Sequence, residues 1–175
     1  MGNGNQKNIE LMFEAISKNK RINDLFLDNN NLADGNEKNI ELIFEVISKQ
    51  KNITTLSLQN NNLGNCNQKN IELMFEAISK HQKITTLSLQ NNNLGKGNER
   101  NIELMFEVMS KHEYLRELYL ENNNLGNGTQ KNIELIFEAI IKNKNISTLK
   151  VENNNWKEGS TQMIIMLEAK KKKDG

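Results

Sequence analysis

The hydrophobic residues of this chain follow two alternating patterns, and both recur every 31 residues. In one unit, Ile53, Leu56 and Leu58 alternate with the polar residues Thr55 and Ser57, which predicts a short strand with one apolar face. A segment rich in asparagine and glycine then spans 60–67, which predicts a turn. The pattern after this turn is different and indicates a helix.

That helix has apolar residues at positions i, i+3, i+4 and i+7, namely Ile71, Met74, Phe75 and Ile78. Leu73 and Ala77 widen this apolar face, as expected for a helix that packs against a helix on each side. Glu76 and Lys80 are spaced for an ion pair across one turn. Asn67 is placed to cap the helix N-terminus.

The unit recurs without drift along the chain. An Asn-Asn-Asn triplet stands at 29–31, 60–62, 91–93, 122–124 and 153–155. A single unit of strand, turn and helix cannot bury its apolar face alone, so the copies must stack. We therefore predict a parallel sheet on one wall and helices on the other. Strands pack more closely than helices, which places the sheet on the concave side.

The central asparagine of each triplet has a predicted structural role. The turn leaves backbone groups unpaired inside the stack, and an asparagine amide can both donate to such groups and accept from them. We expect a ladder of stacked amides formed by Asn30, Asn61, Asn92, Asn123 and Asn154.

The segment 53–63, Ile-x-x-Leu-x-Leu-x-x-Asn-x-Leu, resembles the leucine-rich repeat consensus L-x-x-L-x-L-x-x-N-x-L. Copies stand at 22–32, 84–94, 115–125 and 146–156, the last ending on Trp156. The full helix and the Asn-Leu-Gly after the strand resemble the ribonuclease inhibitor-like class. The resemblance implies an α/β solenoid, a right-handed horseshoe with its parallel sheet concave and its α-helices convex. It implies function only broadly, because that class includes enzyme inhibitors, GTPase regulators, immune sensors and bacterial effectors.

We expect a single domain over residues 1–175, with an N-terminal helix at 8–19, about five repeats of 31 residues and a C-terminal cap at 156–173. Lysines at 170–173 suit the end of a helix. The N-terminal helix keeps an ordinary repeat sequence although no strand precedes it. Three explanations stay open: the helix is itself a cap, earlier repeats are missing, or this end contacts another protein.

Composition narrows the classes of function. The chain has 23 Lys and Arg against 22 Asp and Glu, and this near-neutral charge argues against a nucleic-acid partner. Its apolar runs are too short to span a bilayer, so no membrane is expected. The N-terminus lacks the apolar stretch of a secretory signal. Because Cys66 is the single cysteine, the chain cannot form an internal disulfide. These features favour a cytoplasmic protein, or one delivered to a host cytosol if it is a bacterial effector.

The repeats differ from one another at the strand positions that point outward. In the two middle repeats these positions are identical. In each flanking repeat they place an aromatic residue between two carboxylates, a composition typical of interfaces. Five acids against one base suit a partner protein with a basic, partly apolar patch. The alternative is that duplicated repeats drifted without a role. The predicted partner-binding residues are Asp24, Phe26, Asp28, Ser57, Gln59, Ser88, Gln90, Glu117, Tyr119, Glu121, Lys150 and Glu152.

The cysteine and the two histidines do not form a recognisable catalytic or metal-binding motif. Cys66 lies in the turn before a helix, with no base in sequence reach, which favours drift from the glycine of other repeats. His81 and His112 are 31 residues apart, and two ligands without a third predict exposed histidines and no metal site. No phosphate loop or nucleophile–base set is present. We expect no enzyme activity and no cofactor.

The sequence therefore favours a non-enzymatic module that binds a partner protein on its concave face. The resemblance alone implies an inhibitor or regulator that masks an enzyme active site. Two alternatives remain. One is a bacterial effector or an effector regulator, suggested by the abundance of Asn, Lys and Ile. The other is a structural fragment or engineered truncation of a longer repeat protein.

Overall fold

The computed structural model describes residues 6–34, 37–96, 99–157 and 160. The helices are α1 Gln6–Lys18, α2 Glu37–Lys49, α3 Gln68–Lys80, α4 Glu99–Lys111 and α5 Gln130–Lys142. The strands are β1 Asp24–Phe26, β2 Thr55–Ser57, β3 Thr86–Ser88, β4 Glu117–Tyr119 and β5 Thr148–Lys150. A short 3-10 turn follows each of the first four strands, at Leu32–Asp34, Leu63–Asn65, Leu94–Lys96 and Leu125–Asn127. The asparagine-rich pattern predicted the turn but not this 3-10 geometry.

The five strands form one parallel sheet in the order β1-β2-β3-β4-β5. Each strand residue pairs with the residue 31 positions later, as Leu25 does with Leu56 and Leu56 with Leu87. The helices stack in the same order on the other wall, each against the next. The predicted α/β solenoid is confirmed. Because strands are about 4.8 Å apart and packed helices about 8–10 Å, the sheet lines the concave face.

The core lies between the two walls and is built from the 31-residue period. Phe44, Phe75 and Phe106 are each 1% exposed, and Leu56 and Leu87 from the sheet are 0% exposed. Each strand is three residues long, shorter than the alternation at 53–58 suggests. Backbone hydrogen bonds between repeats continue past the strand, as from the Leu58 N–H to the Ser88 oxygen at 2.9 Å. The first helix begins at Gln6, two residues before its predicted start.

Local signals in the sequence produce the expected helix ends. The Asn67 side chain accepts a hydrogen bond from the backbone N–H of Asn70 at 2.9 Å, which caps α3. The Lys80 Nζ lies 2.6 Å from the Glu76 Oε1, so the predicted ion pair is present. Such exposed pairs stabilise a helix by only about 0.3–0.5 kcal/mol each. The fold therefore depends on packing between repeats and on the turns.

The outer asparagines of each triplet have a conformational role that the residue pattern did not predict. In every copy the first and third asparagines are left-handed, with φ of 56° at both Asn91 and Asn93. Asparagine tolerates this conformation better than other non-glycine residues. The third asparagines also bond along the stack, since the Asn124 Nδ2 donates to the Asn93 Oδ1 at 2.6 Å. Each residue of the triplet is therefore used.

The turn glycine is required by the next repeat rather than by its own backbone. A Cβ at Gly95 would lie 2.1 Å from the carbonyl oxygen of Asn124, closer than any stable contact. In the first repeat this position is Ala33, and its N–H bond to the next copy lengthens to 3.2 Å from 2.7 Å at Gly95. The side chain at this position therefore sets how closely two repeats approach.

Changing Gly95→Ala should lower the free energy of unfolding by about 1–3 kcal/mol, because the added methyl group forces two backbones apart. Urea unfolding followed by circular dichroism measures this difference. Ala33→Gly, the reverse change at the first repeat, is the matched control and should lie within about 1 kcal/mol of the parent. Equal losses in both variants would contradict the contact argument.

The predicted C-terminal cap at 156–173 is described only at its start. The Trp156 indole Nε1 donates to the backbone oxygen of Val151 at 2.9 Å. Its ring lies 6.3 Å from that of Phe137, tilted by 34°. Trp156 thus packs over the last core phenylalanine, where earlier repeats have leucine. The lysines at 170–173 lie outside the described residues.

Candidate protein-binding surface

The sheet register arranges the predicted binding residues in rows across the concave face. Phe26 pairs with Ser57, Ser57 with Ser88, Ser88 with Tyr119, and Tyr119 with Lys150. Three strand spacings of about 4.8 Å put the two aromatic residues on the order of 14 Å apart. Residues before and after this row form two parallel rows. We call the twelve predicted residues the ribbon face.

Phe26 is the most distinctive residue of the ribbon face. The phenylalanines at the 31-residue period are buried, whereas the Phe26 side chain is 63% exposed. Asp24, two residues before it, is also exposed. A large apolar ring with a free carboxylate beside it has the composition of an interface anchor.

Tyr119 stands at the other end of the row in a more enclosed setting. Its hydroxyl donates to the Glu117 Oε2 at 3.2 Å, and the ring is half-buried. Burial raises the pKa of the Tyr119 hydroxyl, with the nearby Glu117 carboxylate as the next cause. These contacts hold the ring in place before any partner arrives.

Glu121 follows this row and is only partly solvated. Burial raises the pKa of the Glu121 carboxyl above its usual range, and the Glu152 carboxylate adds to the rise. The Glu121 Oε2 is covered and accepts no hydrogen bond from the described residues. The Lys150 Nζ lies 3.3 Å from the Glu152 Oε1, and its charge partly offsets the rise in the pKa of Glu121. A cation placed beside Glu121 and Glu152 would therefore offset the repulsion between the two carboxylates.

Two predicted binding residues are less available than expected. Ser57 is 5% exposed, although we predicted it to point outward into solvent. The reason is Asp28, whose Oδ1 accepts a hydrogen bond from the Ser57 Oγ at 2.5 Å and from the backbone N–H of Gln59 at 3.0 Å. Asp28 therefore joins the first repeat to the second. Of the two ribbon-face acids in the first repeat, only Asp24 is fully exposed.

The ladder asparagines lie inside the turn wall, below the ribbon face. Asn61, Asn92, Asn123 and Asn154 are each 0% exposed. Each side-chain amide donates to a carbonyl of the preceding repeat, at 2.9 Å from Asn92 to Leu58. Each Oδ1 accepts a hydrogen bond from the backbone N–H of the ladder asparagine in the preceding repeat. This network fixes the spacing of the repeats and thus of the binding residues.

No family model and no curated protein matches the chain. Among solved structures, the tropomodulin C-terminal domain of Caenorhabditis elegans superposes with a TM-score of 0.71 at 12% identity, covering 95% of this chain and 94% of that one. The leucine-rich repeat-containing protein LegL7 from Legionella pneumophila gives 0.63 at 17%, covering 87% and 45%. Leiomodin-1 actin-binding site 2 gives 0.66 at 15%, covering 91% and 86%. The protein has the leucine-rich repeat fold.

A second polar ladder crosses the interior of the leucine-rich repeat stack where the helices end. Our prediction that the two histidines are exposed is wrong, because His81 and His112 are each 3% exposed. They share a 31-residue period with Gln50 and Asn143, which are buried as well. The His112 Nε2 lies 3.0 Å from the backbone oxygen of His81, and the Asn143 Nδ2 donates to that of His112 at 3.0 Å.

Gln50, His112 and Asn143 contact backbone carbonyl groups at or just after the C-terminus of the preceding helix, where a helix leaves its acceptors incompletely satisfied. Burial lowers the pKa of both His81 and His112. The 31-residue spacing of Gln, His, His and Asn was the available signal, but their different chemistry concealed the shared position.

The other candidates are a metal site, Cys66 and a membrane-spanning helix. In the described ranges, no group of three or more His, Cys, Asp or Glu side chains is arranged to hold a metal ion. Cys66 is half-buried at the end of a 3-10 turn, and its N–H donates to the backbone oxygen of Leu63. Among the same residues, no helix combines the length and the apolarity needed to cross a bilayer.

Proposed function

We propose that the ribbon face binds a partner protein that has a basic, partly apolar patch. The single observation that carries this proposal is Phe26, whose apolar side chain is 63% exposed on the sheet beside the small polar residue Ser57. The ribbon face has five acids and one base, so its local charge is −4 on a near-neutral chain. Rigid asparagine ladders hold this surface ready, which reduces the entropy cost of binding.

A basic side chain of the partner has two places to bind. Beside Phe26, the exposed Asp24 carboxylate can pair with a lysine or arginine of the partner. The Phe26 ring can then pack against the aliphatic part of that side chain. Beside Tyr119, the exposed Glu152 carboxylate and the partly buried Glu121 can attract a lysine or arginine. The distance between these two places fits within one interface of about 800 Å² per partner.

Within this function, we propose that the ribbon face masks the active site of an enzyme. Support for this finer role comes from the resemblance to the ribonuclease inhibitor-like class. A role as a bacterial effector or effector regulator is the alternative, favoured by the Asn, Lys and Ile bias. The similar leiomodin-1 domain is an actin-binding site in its own protein, so actin is one purified partner to test.

Replacing both aromatic residues, as Phe26→Ala with Tyr119→Ala, should weaken partner binding at least about 30-fold. The reason is that an interface anchor contributes about 2 kcal/mol or more. Capture from lysates, identified by mass spectrometry, supplies the partner. Surface plasmon resonance at two salt concentrations then measures its affinity and association rate, which should fall as salt rises.

Ile141→Ala is the matched control, because Ile141 is 52% exposed on a helix, away from the ribbon face. A partner that is retained by the control and lost by the double variant supports the proposal. A partner that binds the double variant as tightly as the parent would move the site to the loops or the convex helices.

A further inference from the structure

The loops from each helix to the next strand form a second charged surface beside the ribbon face. These loops span 19–23, 50–54, 81–85, 112–116 and 143–147. They contain six cations and one carboxylate, Glu113, which gives this edge a net charge of +5 with its histidines neutral. All six cations are exposed. We call them the basic edge: Lys20, Arg21, Lys51, Lys83, Arg116 and Lys144.

The basic edge differs from the lysines that end the five helices, because its cations have no carboxylate partner among the described residues. Each helix ends in a lysine that pairs with a glutamate four residues earlier, as Lys80 does with Glu76 at 2.6 Å. Among the described residues, none of the six edge cations forms an ion pair. The Lys20 Nζ donates to the backbone oxygen of Ser17 at the end of α1 at 3.0 Å, which suits a helix C-terminus. Among the described residues, however, no carboxylate neutralises any of the six charges.

Backbone and amide hydrogen bonds hold the basic edge in position. The Asn52 Nδ2 donates to the backbone oxygen of Lys20 at 2.6 Å, while its Oδ1 accepts from the Lys83 Nζ at 2.9 Å. An Arg116 Nη1 donates to the backbone oxygen of Asn145 at 3.3 Å. Tyr114 lies in the same series of loops and is 50% exposed. The edge is therefore basic and partly apolar, which is the chemistry that the ribbon face requires of a partner.

We propose that the basic edge binds the ribbon face of a second copy of this chain, which forms a two-fold symmetric dimer. Adjacent acidic and basic strips are self-complementary, because a two-fold axis along their boundary places each strip opposite the other. This inference deepens the proposed function by naming a partner, and it rests on that function only for the use of the ribbon face.

The distribution of charge along the stack agrees with this symmetry. A two-fold axis parallel to the direction of stacking brings the same repeat of each copy together. The loop before β1 in one copy therefore faces β1 of the other. That loop contains both Lys20 and Arg21, whereas each other loop of the basic edge has one cation. Strand β1 contains Asp24 and Phe26. Arg21 can then pair with Asp24 and stack on the exposed Phe26 ring. Two strongly charged segments would thus meet twice in each dimer.

Sedimentation equilibrium of the full chain across a concentration series tests the dimer. The parent should dimerise at low salt and dissociate as salt rises. Arg21→Glu and Asp24→Arg should each lower the association constant about tenfold or more, since each change places like charges together at two contacts. Both residues are exposed and make no side-chain bond in the described structure, so folding should be unchanged, which circular dichroism checks.

The decisive sample is an equimolar mixture of the two variants. In a mixed dimer, the introduced glutamate would meet the introduced arginine at one contact, and the unchanged Arg21 and Asp24 would meet at the other. Association should therefore return to near the parent value. Lys96→Glu, with the same charge change on the opposite edge, should leave association unchanged.

A parent that stays monomeric at low salt, or a mixture that fails to associate, would overturn the proposal. Binding of an acidic polymer such as polyglutamate without dimerisation would instead assign the edge to a foreign acidic partner.

These outcomes are distinguishable from failure of the proposed function. A foreign partner that is lost in the Phe26→Ala and Tyr119→Ala variant supports the ribbon face even if the chain is monomeric. A dimer that shows charge rescue supports the second copy even if no foreign protein is captured.

Discussion

Replacing Asn92 by leucine should lower the free energy of unfolding by at least about 3 kcal/mol, because it removes partners from several buried backbone groups at once. The Asn92 Nδ2 donates to the backbone oxygens of Leu58 and Leu89 at 2.9 and 3.0 Å. Its Oδ1 accepts from the backbone N–H groups of Asn61 and Leu63 at 3.0 and 3.3 Å. Leucine has a similar volume but can satisfy none of them.

For a chain of 175 residues, this loss corresponds to a fall in Tm of about 6–12 °C, which scanning calorimetry measures. Gln90→Ala is the control, since Gln90 lies in the same turn but is only half-buried. Its change should stay within about 1 kcal/mol. Equal melting temperatures for the two variants would defeat the structural role of the asparagine ladder.

Lowering the pH from 8 to 5.5 should destabilise the parent more than a variant with His81→Asn and His112→Asn. Burial holds the pKa of both histidines below the usual 6.5, so the unfolded chain binds more protons than the folded one. Stability is therefore complete above about pH 6.5 and is lost as the pH falls below it. At pH 5.5 the loss can reach about 1.4 kcal/mol for each histidine.

The surroundings of the two rings favour the neutral form. Lys83 and His112 both disfavour a charge on His81. Glu107 and Lys111, of opposite charge, line a groove beside His112. Asparagine is the right replacement because Asn143 occupies the same ladder position and bonds two backbone oxygens without titrating.

Urea unfolding at both pH values measures the difference between parent and variant. The pKa values of the Glu14, Glu103 and Glu107 carboxyls lie below the usual 4.5 through their lysine partners. Their stabilisation is therefore lost only below about pH 4.5. The raised pKa of Glu121 is common to both proteins and cancels in the comparison. Identical losses in parent and variant would show that the buried histidines do not control acid stability.

Features that recur every 31 residues could be predicted from the sequence, whereas features that depend on the neighbouring repeat could not. Leu56 and Phe75 were placed in the core because their spacing matches strand and helix geometry. The exposure of Phe26 followed from its odd position in the alternation. Ser57 was misplaced, because its burial depends on the Asp28 carboxylate of the neighbouring repeat. Periodicity reports the wall on which a residue lies, but not what a neighbour places over it.

The asparagine triplet shows the same division. The central residue was assigned from the need to satisfy buried backbone groups, which is a local argument. The left-handed φ of Asn91 and Asn93 was not anticipated, because a pattern of residue types carries no dihedral angles. The histidine error arose because a loop position next to a helix end was assumed to face water.

By itself, the sequence determined the repeat length, the alternation of strand and helix, the parallel stack and the apolar positions of the core. A drift-free 31-residue period with fixed apolar positions admits one way to bury them. Only the tertiary structure decided which polar groups are buried between repeats, how closely Gly95 approaches Asn124, and that six unpaired cations line one edge. These features depend on contacts between residues about 31 positions apart, which form only when one repeat lies against the next.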